Sequence, residues 1–99
     1  MNIKVREYIN GDTAVSYEDG KKCYEEIIKK IDNNEDIVLD FEGIDYVITA
    51  FLNPIIGDLI LDKGVGIMKS INILNANSRT IEKIKMVRDG ALLKREDME

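Results

Sequence analysis

The sequence predicts an α/β domain: a small mixed four-stranded sheet with about three helices, in the order β-β-α-β-α-β-α. Three observations carry this. Short runs rich in β-formers alternate with segments whose apolar residues recur at helical spacing. Gly, Asn, Asp and Pro punctuate the boundaries between them. A chain of 99 residues makes one domain. Strands alternating with helices imply parallel pairs joined by right-handed crossovers, with helices over at least one face of the sheet. The domain is expected over 1–93, with 94–99 a charged tail that frays.

Asn2 to Tyr8 alternates, Ile3 and Val5 on one face and Lys4 and Arg6 on the other, which predicts a half-buried first strand. Asn10-Gly11 is a strong hairpin signal, so Thr13 to Val15 is expected to return beside that strand. Ser16 is a good N-cap for the first helix, with Asp19 three residues on as a near relative of the capping-box Glu. Its apolar stripe is Cys23 or Tyr24, Ile27, Ile28 and Ile31. Gly20 costs the first turn about 1 kcal/mol relative to Ala. Glu25 with Lys29 and Glu26 with Lys30 are exposed pairs in the favourable order. Asp32 to Asp36 is a polar loop; a calcium loop would need Gly and Glu where Ile37 and Gly43 stand.

Ile37 to Phe41 reads as a buried strand. If one face of the sheet is covered, Ile37, Leu39 and Phe41 point to it, and Val38 and Asp40 point away. Glu42 and Gly43 end the run, and a second apolar pulse, Tyr46 to Ala50, leads into the second helix. Asn53-Pro54 suits that helix's start, Asn53 as cap and Pro54 at the first position. Gly57 leaves a gap where helix and sheet can approach closely. Lys63-Gly64-Val65-Gly66 ends the helix; this Gly-x-Gly follows a helix instead of a strand, so it is a turn and not a dinucleotide site. Ser70 to Leu74 is a further strand. Asn75 to Ser78 holds caps for a third helix, Arg79 to Leu93, with Ile81, Ile84, Val87 and Leu92 as its stripe and Met86 beside or outside it.

Composition excludes several functions. A net charge of −5 argues against nucleic acid and anionic membrane surfaces. No apolar stretch is long enough to span a bilayer, and the first residues lack a signal peptide's apolar block, so a cytoplasmic location is expected. The single Cys23 allows no internal disulfide and reads as a buried, inert thiol. With no His, the Ser–His and Cys–His nucleophile systems and most zinc sites are excluded. No acid–base pair or activated nucleophile is signalled, so neither an enzyme nor a cofactor or metal site is expected.

What remains is the joint from strand to helix. Asp40 stands inside an apolar strand, and Thr49 is the only hydroxyl at the joint, where a phosphate would meet a helix N-terminus. Asp40-Phe41-Glu42-Gly43-Ile44, then Thr49-Ala50-Phe51-Leu52-Asn53 and Ile56-Gly57, resemble the STAS-like domain family DUF4325 over about residues 3 to 90. The resemblance implies the fold of anti-sigma factor antagonists and a non-enzymatic interaction module in a bacterial regulatory or signalling system. With that fold layout, the missing catalytic residues and the apolar joint, partner contacts are expected on the loop and helix start at 42–58 (Glu42, Asp45, Thr49, Phe51, Asn53 and Asp58), with Asp40 just before it. The resemblance implies a protein partner, a histidine-kinase-like ATPase or an anti-sigma factor. In that superfamily a Ser entering the second helix is phosphorylated. Here Ile48, Thr49, Ala50 and Phe51 occupy the Asp-Ser-Ser-Gly positions, leaving Thr49 as the acceptor in an alternative, phosphorylation-switched reading. A nucleotide- or small-molecule-binding domain is the remaining alternative. A short first strand on a sheet edge also offers a surface for self-pairing in a homodimer.

Overall fold

The computed structural model describes residues 2–98, and side chains within them except those of residues 65 and 95–98. In chain order it has β1 (Asn2–Lys4), a 3-10 turn (Val5–Tyr8), β2 (Thr13–Ala14), α1 (Tyr17–Asp32), β3 (Ile37–Asp40) and β4 (Tyr46–Val47). Then follow α2 (Thr49–Leu52), a π-helical segment (Asn53–Asp58), α3 (Leu59–Lys63), a second 3-10 stretch (Val65–Ser70), β5 (Ile71–Leu74) and α4 (Ser78–Met98). Residues 49–63 form one helical body, so the described residues hold three helical bodies, as expected.

The sheet differs from expectation. Instead of one mixed four-stranded sheet there are two parallel ones, β1-β3-β5 and β2-β4. Ile3 lies opposite Leu39, and Leu39 opposite Ile73. Thr13 pairs with Tyr46 and Ala14 with Val47. The expected β1–β2 hairpin does not form. The first strand ends at Lys4, where the chain turns into the 3-10 stretch, and β2 leaves to pair with β4. β1 instead gains a partner in the buried β3, which hides Ile3.

The order β1-β3-β5 advances in one direction across the sheet. Right-handed crossovers then place α1 and the 49–63 body on the same face. Burial agrees: Ile3, Ile37, Leu39, Phe41 and Ile71 are buried on that side, as the alternation predicted. On the other face Asn2, Lys4, Asn72 and Leu74 are exposed and Val38 is half-buried. Parallel sheets are usually covered on both faces; this one is open on one.

The second helix begins earlier than Asn53-Pro54 predicts. Ile48 is its N-cap and supplies no side-chain bond, and the cap position is extended, with φ −108° and ψ 161°. Pro54 therefore falls inside the helical body. It has no N–H to give the Ala50 carbonyl and its ring crowds that oxygen. The chain accommodates it with the π-helical turns of Asn53–Asp58. Phe51, Leu52, Ile55, Ile56, Leu59 and Ile60 of this body are fully buried and form the centre of the core.

Two glycines set the packing around it. A Cβ at Gly20 would overlap the Phe51 carbonyl oxygen and lie 2.9 Å from Cγ of Pro54. Gly20 is thus what lets α1 cross the helical body at this distance, where propensity alone marks it as a defect. The gap at Gly57 faces α4 and not the sheet: a Cβ there would meet Cγ1 of Val87 at 3.4 Å.

Two of the three helix caps read from the sequence are present, and the one expected at Asn53 is not. The Asp19 N–H donates to Ser16 Oγ (3.3 Å), and the Thr80 N–H to Asn77 Oδ1 (2.9 Å). On α1, Glu26 lies 4.0 Å from both Lys30 and Lys29, the latter in place of the expected Glu25–Lys29 pair. α4 runs beyond Leu93 to Met98; the last residue of the expected tail, Glu99, lies outside the described residues. No helix among the described residues is long and apolar enough to cross a membrane.

Candidate functional site

Residues 41–48, which join β3 to the helical body, are pinned from three sides. The Phe41 N–H donates to the Leu74 carbonyl (2.9 Å), and the Asp45 N–H to the Asp12 carbonyl (2.8 Å). The Ile48 N–H donates to the Ala14 carbonyl (3.0 Å), and Asn77 Nδ2 to the Asp45 carbonyl (3.2 Å). From α4, Lys83 donates to the Val47 carbonyl at 2.6 Å while its ammonium sits 4.2 Å above the Tyr46 ring. The joint is held rigid by main-chain bonds, one Lys and one Asn.

Asp40 ends β3 at the carboxyl rim of the sheet. It is 6% exposed. Its Oδ1 accepts from Asn75 Nδ2 (2.8 Å) and from the Glu42 N–H (2.9 Å). Asn75 reaches it from a left-handed conformation, φ 58°, which Asn tolerates better than most residues. These two donors, with Lys4 nearby, hold the carboxyl below its usual range against the opposing effect of burial.

The seven candidate residues do not form one surface. Thr49, Asn53 and Asp58 come together. They line a groove of about 490 Å³ between the helical body and α4, with Tyr17, Met86 and Lys94 on its walls. Tyr17 is 47% and Met86 65% exposed, a large apolar surface for two side chains of a small domain. Thr49 lines this groove, and its hydroxyl makes no hydrogen bond among the described residues. Asp40 and Glu42 lie elsewhere, in a second cleft of about 380 Å³ with Lys4, Arg6 and Glu7. Asp45 is exposed on the pinned loop and lines neither.

Phe51 is the clear correction. It is fully buried, so its side chain belongs to the core and is not available as a contact. The apolar residue that follows a strand-to-helix joint points inward here because the helix starts at Thr49, placing Phe51 on the stripe with Ile55 and Leu59. Tyr17 and Met86 were missed as contact candidates. Met86 carried a signal, since it lies off the apolar stripe of α4. Cys23 is fully buried and its thiol is pushed up to about 12 by that burial and by Glu26, which keeps it protonated. No group of three or more metal-ligating side chains is found among the described residues.

A three-stranded parallel sheet with both crossovers on one face, and a groove beside the second helical body, make this a small α/β domain. The family model for the STAS-like domain of unknown function (DUF4325) matches residues 19–80, more than half of the chain, and the chain belongs to that family. Neither the curated proteins nor the solved structures compared with the chain match it.

Proposed function

We propose that this chain is a non-enzymatic protein-interaction module of a bacterial regulatory or signalling system, working in the cytoplasm. The observation that carries the reading is the convergence of Thr49, Asn53 and Asp58 with the exposed Tyr17 and Met86 on one groove. An apolar pair rimmed by polar groups is the usual composition of a docking surface. The rigid joint beneath it supports binding without a large ordering cost. The partner class is the one that the family resemblance implies, a histidine-kinase-like ATPase or an anti-sigma factor. Co-expression with an ATPase or sigma regulator encoded beside this chain, followed by affinity capture, tests it. Capture of the partner by the wild type and its loss with Tyr17→Asp or Met86→Asp is the expected result. A partner held equally by both variants removes the groove from consideration.

A second reading rests on Thr49. Its free hydroxyl lies on the first turn of the helical body, where backbone N–H groups favour a phosphate. Intact mass after co-expression with the kinase reads this directly, and an unmodified chain ends it.

A further inference from the structure

The second cleft shares no residue with the groove. It lies at the carboxyl ends of β1 and β3, the end of a parallel sheet where ligands bind in open α/β proteins. Its floor is Asp40. Both bonds to Asp40 go to Oδ1, and Oδ2 has no partner among the described residues. No buried polar side-chain atom among them lacks a partner, so Oδ2 keeps some exposure to solvent, on a residue that lines the cleft. A carboxylate this well built, on a residue 6% exposed, leaves one acceptor oxygen for something outside the chain.

The cations on the rim make no direct bond within the chain, although Lys4 is near enough to Asp40 to act on its charge. Lys4 is the register partner of Asp40 across the β1–β3 ladder, and Arg6 follows on the 3-10 turn. Neither makes an ion pair or hydrogen bond among the described residues, although Glu7, Asp40 and Glu42 line the same cleft. Arg6 is positioned nonetheless. Its guanidinium lies over Gly43, whose φ of 79° excludes most side chains and whose missing Cβ leaves the space that Nη1 fills.

Two cations facing three carboxylates give the cleft a net negative lining, which disfavours a dianion such as phosphate. A simple cation would make no use of Arg6 or Lys4. Adjacent strands are about 4.8 Å apart, so opposite charges on register partners sit close together. We propose that this cleft binds a small zwitterion of the α-amino acid class, its ammonium on Asp40 Oδ2 and its carboxylate on Arg6 and Lys4. The guanidinium fork suits a carboxylate bidentately, and a volume of about 380 Å³ is at the small end for ligand sites.

Amide NMR titration of the whole chain with glycine and L-serine tests this, with acetate, methylamine and inorganic phosphate as partial probes. Saturable shifts at Lys4, Glu42, Gly43 and Asn75, with an affinity on the order of millimolar, are expected for the amino acids. Acetate and methylamine are expected to bind at least about tenfold more weakly, since each makes half of the contacts. Arg6→Gln is expected to weaken the amino acids by a similar factor, and Asp40→Asn likewise, each variant keeping a native amide spectrum. The absence of saturable shifts up to roughly 50 mM overturns the proposal. So does phosphate binding tighter than glycine, or an affinity for glycine that Arg6→Gln leaves unchanged.

Discussion

Gly20 of α1 lies against the main-chain carbonyl of Phe51, so close that a Cβ at position 20 would overlap the oxygen. The contact joins the two helices that cover the sheet. Backbone cannot swing aside as a flexible side chain can, so Gly20→Ala must push α1 off the helical body. Overpacking of this kind costs about 1–3 kcal/mol, against a helix-propensity gain of about 1 kcal/mol. The balance favours destabilisation, and denaturant unfolding should show a lower midpoint. A Gly20→Ala chain at least as stable as the wild type would mean that the crossing is looser than described.

Asp40 links two strand ends through Asn75, and the bond makes stability depend on pH. Its carboxyl titrates lower in the folded chain than in the unfolded one. The unfolded state therefore takes up the proton first as pH falls. The Asp40 contribution is fully present above about pH 5 and is lost progressively as pH drops through the folded value. Melting temperatures of the wild type and Asp40→Asn should differ most near neutral pH and converge in acid. Parallel curves over that range would show that Asp40 has no such linkage.

Much of this was legible locally. Ser16 and Asn77 cap helices because a short polar side chain reaches the third N–H on, wherever the chain goes next. The inward face of Ile37, Leu39 and Phe41 follows from a period of two. What was not legible depends on distant partners. Strands of two or three residues carry no period, so nothing local says that β2 leaves β1 for β4. Asn10-Gly11 does make a turn, with Gly11 at φ 84°, but the turn joins strands of different sheets. Asn53-Pro54 imitates a helix start because Pro tolerates the first turn, yet buried Phe51 and Leu52 extend the helix back to Thr49 and the π segment absorbs the ring. At the site, Thr49, Asn53 and Asp58 meet on one groove because they lie on one helical body, a grouping that the seven candidates read along the chain did not single out. Asp40 and Asn75 are 35 residues apart and meet only through the β3–β5 register.

Lys83 clasps the joint from outside, bonding the Val47 carbonyl and capping the Tyr46 ring. Lys83→Met keeps the stem's packing and removes both interactions. A hydrogen bond from a charged donor contributes about 1.5–3 kcal/mol and an exposed cation–π contact about 0.5–1 kcal/mol. The variant should lose stability on the order of 2 kcal/mol and exchange amide hydrogens faster over 44–48. Tyr46→Leu should lose only the smaller, ring-dependent part. Unchanged exchange over the loop would show that the main-chain bonds to Asp12 and Ala14 hold it unaided.

The burial of Phe51 separates fold from binding experimentally. Phe51→Ala empties the centre of the core, which typically costs about 3–5 kcal/mol, a large share of the stability of a domain this size. Any partner it loses is lost through unfolding. Tyr17 and Met86 present their apolar surface to solvent, so Tyr17→Asp and Met86→Asp should stay within about 0.5 kcal/mol of the wild type. Those two variants should keep a native amide spectrum while failing to hold the partner. If Met86→Asp instead unfolds the chain, the α4 wall of the groove is structural, and Tyr17 is left as the probe of docking. If both fold and both still bind, the partner engages a different face, and the open side of the sheet around Asn2, Asn72 and Leu74 is the next surface to mutate.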